Sequence, residues 1–170
     1  VLDAVKDQIE EAYKILETCY ENGGKLLIAG NGGSAADSDH IVGELMKGFV
    51  KRRPVSAELA EALKQTDPER GAELAKKLQG GLPAIALTNH AALSSAFAND
   101  VDGMLSYAQQ VNGYGKAGDV FLGISTSGNA ENVMYAAVTA KAKGMKVIGL
   151  TGKTGGKLAK IADVAIIVPE

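Results

Sequence analysis

Short, continuous apolar runs that alternate with helix-like segments are the feature that most constrains how this chain can fold. Five such runs occur, at residues 26–29, 84–87, 120–124, 147–150 and 164–168. Continuous rather than alternating apolar residues indicate strands that are buried on both faces, as in a parallel sheet covered by helices. We therefore predict an α/β fold, a three-layer α/β/α sandwich around a flavodoxin-like, five-stranded parallel sheet.

Three helices around these strands can be predicted from spacing and from stop signals. The first begins at Leu2 and ends before Gly23, and another spans about residues 131–143. A third follows the first strand, and Ser34 with Asp37 predicts a capping box at its start. The predicted apolar stripe of that helix is Ile41, Val42, Leu45, Met46 and Phe49.

Length and composition favour one domain over residues 1–170, because 46% of its residues are hydrophobic and can form one buried core. A charged stretch at about residues 51–81 interrupts the alternation of strands and helices. Within it, Asp67-Pro68-Glu69 is a strong helix start. We interpret the stretch as a helical insertion, because it lacks the Gly and Ser residues of a flexible linker.

Charge and cysteine content exclude several classes of protein. The formal net charge of −2 provides no global field for a polyanion, so no nucleic-acid partner is expected. One cysteine, Cys19, cannot form an intrachain disulfide, which favours a reducing compartment and a cytoplasmic protein. No apolar run approaches the roughly 20 residues needed to cross a bilayer, and no membrane association is expected.

The first loop that could bind a ligand is Gly30-Asn31-Gly32-Gly33-Ser34, between the first strand and a helix. Glycines let the backbone approach a ligand closely, and a helix N-terminus favours an anion or a polar sugar. The loop also fits a relaxed dinucleotide-binding pattern. That alternative predicts a strand ending in an acid about 20 residues later, where the chain instead has Val50-Lys51-Arg52-Arg53-Pro54. No nucleotide cofactor is expected.

The second loop, Ser125-Thr126-Ser127-Gly128-Asn129, also lies between a strand and a helix. Its hydroxyl and amide groups could bind a phosphate without a basic residue. The alternative is a Ser/Asn-rich turn that only caps the helix. A later segment, Gly152-Lys153-Thr154, imitates the end of a nucleotide P-loop, but the first glycine of that motif would fall at Val147, inside a strand.

One helix face carries His40 and Glu44, four residues apart, and Asp37 and Lys47 extend it. A carboxylate held over a sugar phosphate could move a proton between adjacent carbons. The same pair could supply two ligands to a divalent metal. A solvated polar face is the alternative.

Taken in order, these motifs resemble those of the phosphoheptose isomerases, which have a sugar isomerase (SIS) domain. The resemblance is carried by the segment 30–37, by His40 and Glu44, and by the loop 125–129, and it covers nearly the whole chain. Asn99-Asp100 matches a further sugar-binding pair of that family.

The resemblance implies aldose–ketose isomerisation of sedoheptulose 7-phosphate to D-glycero-D-manno-heptose 7-phosphate through an enediol, with Glu44 as the base. It implies that the phosphorylated sugar is bound by Asn31, Gly32, Gly33, Ser34, Asn99, Asp100, Ser125, Thr126 and Ser127. It further implies that His40 and Glu44 form half of a zinc site and that the protein is a homotetramer with sites at subunit interfaces.

Three features depart from the family. Ala130 stands where the family usually has a phosphate-binding serine, and the 51–81 insertion is longer than in the simplest members. The family also has a glutamine and a catalytic, metal-binding histidine on a C-terminal helix, whereas this sequence ends at Pro169-Glu170. We expect the natural protein to extend into that helix, and His90 is a weaker candidate for the second group. A non-catalytic sugar-phosphate-binding regulator, or an isomerase of another sugar phosphate, remains the alternative function.

Overall fold

The structure is a computed structural model that describes residues 2–169. The strands are β1 (Leu26–Ala29), β2 (Ala84–Ala86), β3 (Val120–Ser125), β4 (Lys146–Gly152) and β5 (Val164–Val168). They form one sheet in the order β2-β1-β3-β4-β5, and every neighbouring pair is parallel. This is the strand order of flavodoxin-like folds, so the predicted sheet is confirmed.

The helices lie between the strands and before β1. They are α1 (Lys6–Glu21, after a 3₁₀ turn at Leu2–Val5), α2 (Gly33–Met46), α3 (Ala57–Thr66), α4 (Pro68–Lys77), α5 (Ala91–Asp100), α6 (Ser106–Tyr114, after a 3₁₀ turn at Gly103–Leu105), α7 (Glu131–Ala142) and α8 (Gly156–Ile161). The predicted first helix and the predicted helix at 131–143 are both confirmed.

Two apolar clusters, one on each face of the sheet, form the core. On one face α1 and α2 cover the sheet, with Ala12 and Cys19 of α1 buried against strand residues such as Ile28. On the other face α6, α7 and α8 cover it, and Val133, Ala136 and other α7 residues are fully buried. Helices on both faces explain why the strand sequences are continuously apolar, and they confirm the three-layer arrangement.

The 51–81 segment is helical, as predicted, and consists of the hairpin α3–α4. Asp67 caps α4, because its Oδ1 accepts hydrogen bonds from the amides of Glu69 (3.1 Å) and Arg70 (2.9 Å). The two ends of the segment are joined where Arg53 and Gly80 meet, with a hydrogen bond from the Gly80 amide to the Arg53 carbonyl at 2.7 Å. The hairpin is therefore anchored at its base.

Two details predicted for α2 are wrong. The N-cap is Gly32, which has φ of 57° and no side-chain cap, whereas Ser34 lies inside the helix and its carbonyl accepts a hydrogen bond from Ser38 Oγ at 2.8 Å. The capping box does not form because the turn at Gly32 starts the helix before Ser34, which therefore cannot be the N-cap residue. Phe49 lies beyond the end of α2 and is 80% exposed, because the backbone is already extended at Lys47.

No helix within residues 2–169 is long and apolar enough to span a bilayer.

Candidate functional site

The two polar loops identified in the sequence meet at one pocket beyond the carboxyl ends of β1 and β3. The pocket is open to solvent and has a volume of about 280 Å³. It is lined by Asn31, Ser34, Ile124, Ser125, Thr126, Ser127, Ala130 and Lys153. Parallel strands place their carboxyl ends at one edge of the sheet, where ligands of open α/β folds bind. Five of the predicted substrate-binding residues therefore lie around one cavity.

The first loop is held closely against α2. A Cβ atom at Gly30 would lie 2.7 Å from both the Cβ and the carbonyl oxygen of Ser34, so only glycine is accommodated there without a shift. The Tyr107 hydroxyl donates a hydrogen bond to the Gly30 carbonyl at 2.8 Å. Burial, together with the charge of Asp39, raises the pKa of Tyr107, so this hydroxyl stays a donor at neutral pH. Gly32 and Gly33 complete the turn into the helix.

Asn31 is held by Asn132 through a pair of reciprocal amide hydrogen bonds. Asn31 Nδ2 donates to Asn132 Oδ1 at 2.9 Å, and Asn132 Nδ2 donates to Asn31 Oδ1 at 2.8 Å. Asn132 Oδ1 also accepts a hydrogen bond from the Val133 amide at 3.0 Å. Asn132 lies in the first turn of α7, so it connects the first loop to the helix that follows the second.

The second loop begins at Ser125, a buried residue at the end of β3, and leads to α7. The N-cap of α7 is Ala130, whose own side chain forms no capping hydrogen bond. Ser127 Oγ instead accepts a hydrogen bond from the Asn129 amide at 3.3 Å, and Asn129 Nδ2 donates to the Ser127 carbonyl at 2.9 Å. Asn129 Oδ1 also accepts a hydrogen bond from the Lys157 amide at 3.1 Å, in the first turn of α8, so phosphate binding and a capping turn both stay open for this loop.

The end of β4, the loop after it and the first turn of α8 hold the second loop in place. The Gly152 amide donates to the Thr126 carbonyl at 2.9 Å, and the Leu158 amide donates to the Gly128 carbonyl at 2.9 Å. A Cβ atom at Gly128, where φ is 67°, would overlap the Gly155 carbonyl oxygen. These contacts fix the shape of the phosphate-binding candidate before any ligand arrives.

A second open pocket, of about 310 Å³, adjoins the first and shares Ser34, Ile124 and Thr126 with it. Asp37 and Thr151 also line it. The Thr151 hydroxyl is buried and has no hydrogen-bond partner. A buried hydroxyl without a partner is costly, and this oxygen lies behind the pocket wall, out of reach of solvent.

His40 and Glu44 lie on one face of α2, as predicted, with His40 Nε2 3.8 Å from Glu44 Oε1. Glu44 Oε2 is buried without a hydrogen-bond partner. Ten residues separate Glu44 from Ser34, which corresponds to about 15 Å along the helix axis. Glu44 does not line the pocket at the loops. Within residues 2–169, no cluster of three His, Cys, Asp or Glu side chains is arranged to hold a metal.

Asn99 and Asp100 lie at the end of α5 and are exposed. Asn99 Nδ2 donates to Asp100 Oδ1 at 2.6 Å, and neither residue lines the two pockets. Their role in sugar binding stays a prediction. His90 is the N-cap of α5, with Nδ1 3.4 Å from the Leu93 amide, so it has a structural role at that helix.

Comparison with known proteins places the chain in a family. A model of the SIS domain matches residues 1–80 and 68–152. This chain belongs to the SIS domain family. The phosphoheptose isomerase of Sulfurimonas denitrificans is 37% identical over 163 residues, covering 96% of this chain and 70% of the relative. That of Aneurinibacillus thermoaerophilus is 40% identical over 158 residues, covering 93% of this chain and 66% of the relative.

Solved structures agree with this assignment. The SIS domain described here is similar to a phosphoheptose isomerase from Francisella tularensis, with a TM-score of 0.78 and 34% identity over 98% of this chain and 75% of that one. It is also similar to the phosphoheptose isomerase from Neisseria gonorrhoeae, with a TM-score of 0.74 and 34% identity over 100% of this chain and 75% of that one. The chain thus spans about two thirds to three quarters of the length of these relatives.

Proposed function

We propose that this SIS domain is a phosphoheptose isomerase that interconverts sedoheptulose 7-phosphate and D-glycero-D-manno-heptose 7-phosphate. The observation that carries the proposal is the meeting of the two loops at one pocket lined by hydroxyl and amide groups. The identity of 37% and 40% to relatives named phosphoheptose isomerase supports the choice of sugar.

The phosphate would bind at the loop of Ser125, Thr126 and Ser127, at the start of α7. Hydroxyl groups donate to phosphate oxygens, and the positive end of a helix dipole favours a dianion. α7 has 12 residues, and its N-cap residue, Ala130, has no side-chain group that could compete with a phosphate for the first amides. Fixing the phosphate also fixes the rest of the sugar, which lowers the entropic cost of reaching the transition state.

The polyol chain would contact Asn31, Gly32, Gly33 and Ser34 of the first loop. Asn31 can both donate and accept hydrogen bonds, and its orientation is set by Asn132. The adjoining pocket, which shares Ser34 and Thr126 with the first, gives room for the rest of the sugar. Asn99 and Asp100 are proposed to complete the sugar contacts, on the strength of the family resemblance.

Glu44 would be the base. It removes a proton from C1 of the ketose, the C1–H electrons form the C1=C2 double bond of an enediol, and the C2 carbonyl oxygen takes a proton from water. The enediol then collapses to the aldose when Glu44 returns a proton to C2 and the O1 proton passes back to the hydroxide left by that water. Oε2 of Glu44 is buried and has no hydrogen-bond partner in the described chain, so no hydrogen bond of this atom would have to break for it to take the proton.

His40 and Glu44 would also hold zinc. An imidazole nitrogen and a carboxylate oxygen are usual zinc ligands, and a pair four residues apart on one helix face can bind the same ion. Bound zinc would polarise the carbonyl of the substrate. The fit is supported by the 3.8 Å separation of the two groups and by the unpartnered Oε2 atom.

The protein would act as a cytoplasmic homotetramer with sites at subunit interfaces. Two observations support sites of this kind. Glu44 lies about 15 Å along α2 from the first loop, and the apolar residues that follow it are exposed, with Met46 at 51%, Phe49 at 80% and Val50 at 84%. Exposed apolar residues beside a candidate base are typical of a surface that another subunit covers.

Turnover of sedoheptulose 7-phosphate in deuterated water tests this proposal. We expect the aldose product to appear and to carry deuterium at C2, because a carboxylic acid exchanges its proton with solvent. Unphosphorylated sedoheptulose serves as the control and should react far more slowly. Binding of the phosphorylated sugar without any aldose or exchange would contradict the isomerase and support a regulatory binding protein.

A further inference from the structure

The loop after β4 brings a lysine to the pocket in an unusual backbone conformation. Lys153 has φ of 53°, and the other residues with positive φ in the described part of the chain are glycines. A left-handed conformation is unfavourable for a residue that has a Cβ atom. Residues held in such conformations cluster at functional sites, where the surrounding structure imposes them.

The surrounding loops explain how this conformation is imposed. Ser125 at the end of β3 is in register with Thr151 near the end of β4, so the loops after the two strands are neighbours. The Gly152 amide is bonded to the Thr126 carbonyl, and Gly155 and Gly156 lie directly against Gly128. Lys153 is therefore fixed on both sides, and its side chain lines the pocket.

Lys153 also differs from the rest of the pocket lining in its charge. Among the described residues that line the pocket, Lys153 is the one with a formal charge. The nearby Lys157 does not line this pocket, and its Nζ lies 2.5 Å from Glu131 Oε1. Ala130, which also lines the pocket, contributes no hydroxyl. A phosphate dianion at the serine and threonine hydroxyls would thus meet one cationic side chain.

We infer that Lys153 is a direct ligand of the substrate phosphate and provides the positive charge of a site otherwise built from neutral donors. The inference rests on the proposed phosphate site and adds a binding residue to it. The ligand class is a phosphate monoester dianion, with which an ammonium group forms strong, charge-assisted hydrogen bonds. The left-handed backbone at Lys153 is the conformation in which this side chain lines the pocket.

Calorimetry on Lys153→Met tests the inference, with inorganic phosphate, sedoheptulose 7-phosphate and unphosphorylated sedoheptulose as probes. Loss of a hydrogen bond to a charged group should weaken the binding of both phosphate-containing probes by about 10- to 100-fold. Affinity for sedoheptulose should be unchanged. Lys160→Met, which removes an exposed lysine of α8, is the control and should bind all three probes like the wild type.

Lys153→Gly separates the charge from the backbone, because glycine adopts positive φ without penalty. We expect this variant to melt at a higher temperature than the wild type and to lose phosphate affinity as Lys153→Met does. A stabilised Lys153→Gly that retains wild-type phosphate affinity, or equal losses for sedoheptulose and its 7-phosphate in Lys153→Met, would overturn the inference. If the wild type binds phosphate through Lys153 and does not turn over the heptulose phosphate, the proposed reaction fails and the inference stands.

Discussion

The contact between the phosphate loop and the loop after β4 can be tested by Gly128→Ala. Gly128 has φ of 67°, and an added Cβ atom would overlap the Gly155 carbonyl oxygen. The left-handed conformation should cost a residue with a Cβ atom about 1–2 kcal/mol. The overlap involves backbone, which no rotamer change can relieve, and overpacking of this kind costs about 1–3 kcal/mol. We therefore expect the variant to lose about 2–5 kcal/mol of unfolding free energy.

Gly23→Ala is the matched control for this experiment. Gly23 has φ of 72°, and a Cβ atom there would have no neighbour within 4 Å. Gly23→Ala should therefore lose only the cost of the left-handed conformation, about 1–2 kcal/mol of unfolding free energy. Urea unfolding with linear extrapolation measures both values, provided that the slopes are equal. Equal losses in the two variants would refute the close contact between the loops.

Three further predictions concern the site and its support. Ser127→Ala should weaken binding of sedoheptulose 7-phosphate by about 10-fold or more and leave unphosphorylated sedoheptulose unaffected, as measured by calorimetry. Asn132→Ala should raise the KM for sedoheptulose 7-phosphate more than Asn132→Gln does, because the longer amide of Gln can still reach Asn31 in part. Burial alone would raise the pKa of Asp163, but the Val147 amide and two lysine ammonium groups together lower it. The stabilisation that the ionised Asp163 carboxylate provides is thus complete above the ordinary pKa of 3.8, and it is lost as pH falls from 3.8 through the lower pKa of the folded state. Asp163→Asn should be destabilised at pH 7, and the difference from the wild type in urea unfolding should shrink at pH 3.

The sheet could be predicted from sequence because burial on both faces leaves a direct record in composition. β3, for example, is buried at five of six positions, and its sequence has no polar residue before Ser125. The start of α2 could not be predicted as well. The spacing of Ser34 and Asp37 favoured a capping box, but the conformation of Gly32 starts the helix earlier, and backbone angles at glycine leave no such record.

The meeting of the two loops was also predictable, since carboxyl ends of parallel strands lie at one edge of a sheet. Asn132 and Tyr107 were missed because their contacts depend on tertiary structure. Asn132 is 101 residues from Asn31, and Tyr107 is 77 residues from Gly30. In the sequence, Lys153 stands out only within a segment that imitates a P-loop, and that motif is excluded because Val147 lies inside β4. The pairing of β3 with β4 is what brings Lys153 to the pocket.

Glu44 is the proposed base of the isomerisation, and Glu44→Gln tests that role most directly. The amide keeps the shape of the side chain but cannot accept the proton. We expect kcat for sedoheptulose 7-phosphate to fall by about 10²–10⁴-fold, while calorimetry gives a dissociation constant for the sugar phosphate within about threefold of the wild type, a change of less than about 1 kcal/mol. Glu58→Gln, at an exposed carboxylate in the insertion, should change neither value. A Glu44→Gln variant that binds normally and retains more than about a tenth of wild-type kcat would contradict the assignment of Glu44 as the base.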